Sequence, residues 1–390
     1  MTAVDADPHA TLAAMREAGP VHEIPLGPEA KAWLITGYEA GRRALSDPKL
    51  VKSLGESVLY DGRGAIPDHV RQMMSKNMLS ADPPDHTRLR RLVSAEFTPR
   101  RVEDLRPRVR EISDSLIEAF EGDEIDLIDA YAFPLPFQVI CELLGVPEMD
   151  RESFRGWSNT ISAAMPVMTE QTVDAAKNVA AYVGELVELR RSEPDDALLS
   201  ALIQRSDSGD RLSRDELTSL VFLLLIAGHE TTVNLIGNAM YLLLDRPALA
   251  CALRAEPGLL PPAIEEFLRY ESPVKLSTFR VTTEPLTVGE VTIPAGQPVL
   301  VSLLGANRDP RAFGHPDQLE LSRKDGQHLA FGHGPHFCLG APLARMEGEI
   351  AIGSLLERFP RMRFAVPVEE LEWRPGALMR GLAHLPVTLG

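Results

Sequence analysis

Residues able to do chemistry are densest in one stretch, Phe331-Gly332-His333-Gly334-Pro335-His336-Phe337-Cys338-Leu339-Gly340, which runs directly into a helical pattern over Ala341 to Leu356. A cysteine just ahead of a helix faces its unpaired N–H groups, which favour thiolate over thiol, and thiolate is the form that ligates metal. The glycines let backbone approach something flat or bulky. A dinucleotide fingerprint would need a third glycine at 337, which is Phe. Zinc would need more than His333, His336 and Cys338, and no second Cys or His cluster lies nearby in the sequence. An inert buried cysteine stays open at this point, and it is the reading for Cys141 and Cys251 on their apolar helices.

Three further segments carry polar residues at helical spacing. Ser213 with Glu216 forms a capping box that starts a long helix, whose apolar run Leu220 to Ala227 leads into Gly228-His229-Glu230-Thr231-Thr232. Polar side chains mid-helix must be satisfied or functional, and a hydroxyl bonded back to the carbonyl one turn earlier is the plainest way to satisfy one. A zinc-protease reading of His229-Glu230 fails because position 233 is Val. Glu266 and Arg269, three apart, would be worth only about 0.2 to 0.5 kcal/mol as an exposed pair. His86 and Arg90, four apart near the start of another helix, can reach one anionic group together; a solvated Arg-rich helix is the plainer alternative.

In this order along the chain, these segments resemble the cytochrome P-450 superfamily of haem-thiolate monooxygenases. The cysteine loop matches the family signature Phe-x-x-Gly-x-His/Arg-x-Cys-x-Gly at Phe331, Gly334, His336, Cys338 and Gly340. The resemblance implies that Cys338 is the proximal iron ligand of haem b, and that His86, Arg90, Arg280 and His336 hold its propionates. It implies that Thr231 organises the oxygen-binding position while Glu230 helps relay protons from solvent. Glu266, Arg269 and Arg323 become a structural ion-pair network, and Ala306 to Pro310 the meander ahead of the cysteine loop. The match is to the soluble bacterial branch, without a membrane anchor, whose electrons come from a ferredoxin and its reductase. Arg88, Arg91, Arg100, Arg101, Arg106, Arg108 and Arg110 are the expected docking cluster for an acidic redox partner; ordinary solvated helix faces are the alternative.

The implied reaction inserts one atom of O2 into a small apolar organic substrate, with polyketide or macrolide tailoring in bacterial secondary metabolism and antibiotic biosynthesis as the expected setting. The segments 53–82, 154–183 and 222–227, the strand 274–279 and the stretch 378–384 would enclose it, with Met73, Met74, Met78, Met165 and Met168 as adaptable lining. Peroxide-driven oxygenation, oxidative coupling and a non-catalytic haem sensor are the alternatives; the Glu230-Thr231 pair favours normal oxygen activation over peroxide dependence, and a sensor would not need it.

What must position these residues is mainly helix. Of the 390 residues, 44% are hydrophobic and 25% charged, which suits a globular chain with a large core. Apolar spacing predicts helices near 9–18, 38–45, 85–96, 103–120, 129–143, 171–191, 215–244, 258–270 and 341–358. Val21 to Ile24 with Trp33 to Thr36, and Leu286 to Ile293 with Val299 to Ser302, predict small sheets. Short loops and the absence of repeats predict one mainly α domain over 1–390; the resemblance implies that the haem lies between the oxygen-binding helix and the cysteine-loop helix. A net charge of −16 disfavours nucleic acid and anionic membranes as partners. Three cysteines, no signal-like amino terminus and no apolar run near the roughly 18 residues needed to span a bilayer predict a soluble, cytoplasmic protein, expected to be monomeric.

Overall fold

The computed structural model describes residues 8–26, 31–52, 67–95, 97–147, 151–163, 169–207 and 212–390. In chain order the first half runs α1 (Pro8–Ala18), β1 (Val21–Pro25), β2 (Lys31–Ile35), α2 (Tyr38–Ser46), β3 (Leu50–Val51), α3 (Asp68–Ser75), α4 (Asp85–Ser94), α5 (Pro99–Asp104), α6 (Arg106–Glu118), β4 (Glu124–Asp126), a π-helical turn Ile128–Ala132, α7 (Pro134–Leu144), α8 (Arg151–Ala163), α9 (Glu170–Ser192) and α10 (Leu198–Asp207). The second half runs α11 (Arg214–Asp245), α12 (Pro247–Ala255), α13 (Leu260–Tyr270), β5 (Arg280–Thr282), β6 (Leu286–Val288), β7 (Val291–Ile293), β8 (Pro298–Val301), α14 (Leu303–Ala306), α15 (Ala341–Arg358), β9 (Arg363–Phe364) and β10 (Pro386–Thr388). Helix dominates, as the periodicity predicts.

The axis of the molecule is α11, and its capping box is present: Ser213 accepts from the Glu216 N–H while Glu216 accepts from the Ser213 N–H. This helix is long and apolar enough to cross a bilayer, yet 78% of its most apolar stretch is buried inside the protein. Its greasiness serves the core, because α3, α7, α9 and α15 all pack on it. One large apolar cluster runs through these helices, and two smaller ones lie at the five-stranded sheet β1-β2-β8-β5-β3.

Two sequence expectations are corrected. Leu286 to Ile293 does not pair with Val299 to Ser302; β6 and β7 form a separate hairpin closed by the two-residue loop Gly289-Glu290, with Gly289 at φ +63°. β8 instead lies parallel to β2 and antiparallel to β5. The helix expected over 129–143 is a π-turn followed by α7, since Pro134 has no N–H to continue a regular ladder through that point. Similarly, the 103–120 pattern divides at Leu105, with Pro107 opening α6.

Of the expected substrate-enclosing residues, 53–66, Met165 and Met168 lie outside the described residues. Met73 and Met78 are buried, and Met74 packs partly buried against the main cluster.

Candidate functional site

Cys338 enters from a loop shaped by two left-handed glycines, Gly332 and Gly334, both at φ +74°. At Gly334 a Cβ would meet the backbone of Leu45 and Ser46 at 3.0 Å, so only glycine fits against α2 there. The Cys338 N–H donates to the Phe331 carbonyl at 2.9 Å, closing the loop. The residue is half-buried, and the N–H groups of Gly340 and Ala341 at the start of α15 favour negative charge on its sulfur. Burial pushes the thiol up, while those two donors and the charges of Arg90 and Arg345 act the other way.

A cationic cluster stands beside it. His86 is buried, its ring centroid 4.3 Å from that of His336, and its Nε2 has no hydrogen-bond partner. Burial, with the charges of Lys52, His86 and Arg280, pushes His336 down to about 3; burial and Arg90 lower His86. Arg280 is buried, donates to the Thr278 carbonyl at 3.2 Å, and is pushed down to about 10 by burial against the pull of Asp82. Arg90 lies between the two features, within electrostatic reach of both His86 and Cys338. The four residues expected to hold carboxylates therefore gather in one place, and Lys52 joins them without having been anticipated.

On α11 the expected distal residues show a mixed picture. Thr231 donates its hydroxyl to the Ala227 carbonyl at 3.1 Å, the plain back-bond, which leaves its oxygen lone pairs free to accept. Ala227 is exposed and Gly228 and Thr231 are half-buried, although buried residues flank them on the same helix. A Cβ at Gly228 would sit 2.9 Å from Ile140 Cδ1, so the Ile140 side chain would have to shift to admit one. Glu230 is buried, and its Oε1 lies 3.7 Å from Arg374 Nη1, which also donates to Asn159 Oδ1 at 3.1 Å. His229 is a satisfied core histidine: Nδ1 donates to the Leu225 carbonyl at 2.7 Å, Nε2 meets Ser158 at 3.1 Å, and burial pushes it down to about 4.

Glu266 and Arg269 are far from an exposed pair. Arg269 grips both carboxylate oxygens at 2.7 Å with both residues 2% exposed, and Arg323 Nε completes the network at 3.1 Å. Arg269 also donates to the carbonyls of Asn307 and Pro316, tying α13 to the meander.

Sequence reasoning missed Lys52, Arg374 and Glu347. Glu347 on α15 is buried; desolvation raises it well above the ordinary carboxylate value against a hydrogen bond from Thr232, and its Oε2 has no partner. The single available signal was residue type at a position that later proves buried. The expected basic docking cluster is thinned. Arg88 is paired with Glu216, Arg106 with Glu103 and Arg108 with Glu142, whereas Arg91, Arg100 and Arg110 are exposed with no ion pair among the described residues.

These residues fit a flat dicarboxylate macrocycle carrying iron. The sulfur is held by backbone donors, and the orphaned His86 Nε2 and buried Arg280 supply donors for carboxylates. The exposed Ala227 opens the middle of the core helix. Zinc finds no such support: among the described residues, the set able to converge on a metal ion is Asp126, Asp129 and His384, remote in sequence from the cysteine loop.

Comparison with known proteins agrees. The family model described as Cytochrome P450 matches residues 157–370. Cytochrome P450 107B1 of Saccharopolyspora erythraea is 49% identical, over 98% of this chain and 95% of that one. The 6-deoxyerythronolide B hydroxylase of the same organism is 45% identical, over 98% and 96%. The solved structure of the tirandamycin C-bound P450 monooxygenase TamI superposes with a TM-score of 0.91 at 45% identity, covering 98% of each chain. With these matches over nearly the whole chain, it belongs to the cytochrome P450 family: it is a P450 monooxygenase, an oxidoreductase with a haem-thiolate cofactor.

Proposed function

We propose that this single-domain, soluble, cytoplasmic and monomeric enzyme binds haem b and hydroxylates or epoxidises an apolar polyketide or macrolide skeleton in bacterial secondary metabolism. Cys338 would supply the iron ligand, and His86, Arg90, Arg280 and His336 would hold the propionates. The bound haem supplies the oxidative chemistry, namely activation of O2 with two electrons and two protons. The observation that carries this reading is the pairing of a sulfur held by two helix-terminal N–H groups with a buried His86 nitrogen that has no partner of its own.

The chain's own residues then divide the work. The two N–H donors and Arg90 stabilise negative charge on sulfur. Thr231, with its hydroxyl proton spent on the Ala227 carbonyl, presents lone pairs that accept a hydrogen bond from water or substrate. Glu230 moves protons when it leaves Arg374; while paired, its carboxylate is held towards Asn159 and α8. Electrons arrive from a ferredoxin, itself reduced by a ferredoxin reductase, which docks near the exposed Arg91, Arg100 and Arg110. The substrate class rests on relatives: one is named for hydroxylating 6-deoxyerythronolide B, and another was solved with tirandamycin C.

The test is turnover of a polyketide and macrolide panel with a ferredoxin system, ligands being chosen by the spin-state shift of the haem band. Products gaining one oxygen atom are expected, and Thr231→Ala should divert reducing equivalents to peroxide. Turnover with peroxide alone, or no turnover of any ligand that shifts the spin state, would contradict the proposal.

A further inference from the structure

The buried cations around His86 outnumber the anions that face them. Lys52 directly follows β3 and is buried. Its backbone N–H donates to both Asp82 carboxylate oxygens at 2.9 Å, which pins the chain at this point. Its ammonium, however, is bonded to the neutral hydroxyl of Thr278. The same threonine's carbonyl accepts from Arg280, so Thr278 brackets two cations side by side. The Lys52 charge reaches His336 and His86, and that of Arg280 reaches Lys52. Asp82 is the acid acting on Lys52, His86, His336 and Arg280 alike, yet burial and the Arg280 charge still push Lys52 well below its ordinary value, so one carboxylate does not compensate both basic side chains. A hydroxyl orients an ammonium without cancelling its charge, and a buried uncompensated cation is unfavourable. The pocket is built for one more anion.

We propose that Lys52 is a carboxylate-binding residue, held by the Thr278 hydroxyl, that joins His86, Arg280 and His336 in anchoring a propionate of the cofactor. This rests on the haem reading above and adds to it a residue that none of the recognised motifs contains. Other carboxylates share this chemistry, notably an acid group on a substrate, because Thr278 lies on the segment expected to line the substrate cavity. The cofactor is the committed occupant. Three other basic groups already converge on the same point, and a substrate acid would not need all of them.

The experiment compares the haem-loaded full-length enzyme with Lys52→Met, which keeps the apolar stem, and Thr278→Val, which removes only the bracket. Haem transfer to apomyoglobin and the midpoint potential of the ligand-free enzyme are measured. Lys52→Met should release haem about tenfold faster or more, and its potential should fall, because a cation near the iron favours the reduced state. Thr278→Val should shift both in the same direction by less. Should Lys52→Met fail to accumulate, Thr278→Val carries the same prediction. Unchanged haem release and potential in both variants would overturn the inference while leaving the haem reading intact, provided the parent enzyme shows thiolate-ligated spectra. Normal haem retention, with loss of binding confined to carboxylate-bearing ligands, would assign Lys52 to substrate and equally overturn it. A parent enzyme without haem would sink the broader reading first.

Discussion

Two buried clusters of charge in this protein differ in how completely they are closed. Around Glu266 every charge is answered: Arg269 forks onto the carboxylate, Arg323 adds a second guanidinium, and their remaining donors reach the carbonyls of Asn307, Pro316, Gln318 and Gly314. Around His86 the cations rest on the hydroxyl and carbonyl of one threonine, and an imidazole nitrogen has no partner. Similar residue types at similar burial thus serve opposite ends. The closed network clamps α13 to the meander, whereas the open one keeps donors in reserve for a ligand. Satisfaction of the polar groups, rather than their burial, separates scaffold from site.

The largest break in this comparison should come from Glu266→Gln. Removing the carboxylate charge leaves Arg269 buried without a counterion, while Arg323 keeps Glu320 and Asp325, and stability should fall by roughly 3 to 5 kcal/mol, read as the urea midpoint of the loaded enzyme. A midpoint near wild type would mean the network is not closed as described.

A second closed cluster sharpens the point through pH. Burial alone would raise the Glu271 carboxyl, yet His9 and Arg380 hold it at about 2, below its ordinary 4.5. Because the folded value is depressed, its contribution is complete above pH 4.5 and disappears as pH falls through the interval down to about 2. Glu271→Gln should remove roughly 3 kcal/mol of stability at neutral pH and flatten the loss between those limits, as chemical denaturation at a series of pH values would show. An unchanged acid limb would contradict the assignment.

The open cluster predicts a different signature. His86→Leu removes an unsatisfied nitrogen, so it should leave folding stability near wild type while haem release rises about tenfold, followed by transfer to apomyoglobin. Equal losses of stability and of haem would make His86 scaffold. Glu347 gives the smallest effect. Its raised carboxyl contributes stability below the ordinary 4.5 that is lost as pH rises towards the folded value, at about 1.4 kcal/mol per pH unit at most. Glu347→Gln should erase that slope in the same denaturation series, and a persistent slope would assign it elsewhere.

How much of this was legible in the sequence depends on how local the signal is. The cysteine loop, the capping box at Ser213, and the His86/Arg90 and Glu266/Arg269 spacings lie within a few residues, so chemistry and periodicity could be read together. Lys52, Arg374 and Glu347 could not be read this way. Lys52 meets Thr278 across 226 positions, and Arg374 meets Asn159 across 215, so only the fold brings them together. Helices were missed for nearer reasons. α3 spans eight residues, too few for a clear period, and α12 restarts within two residues of the end of α11, with Pro247 at its first turn as the neglected signal. The Glu266 pair looked weak because spacing alone says nothing of burial, and at 2% exposure the same two residues become the most deeply buried ion pair among the described residues.

The central claim is that the Cys338 sulfur, charged and supported by the amides of Gly340 and Ala341, holds the haem iron. It is tested most directly by the absorption spectrum of the reduced, CO-bound protein, wild type beside Cys338→His. The wild type should give the strongly red-shifted Soret band of thiolate-ligated haem, and the variant should retain haem but lose that shift. A wild-type spectrum without the red shift, or a variant that keeps it, would contradict the claim.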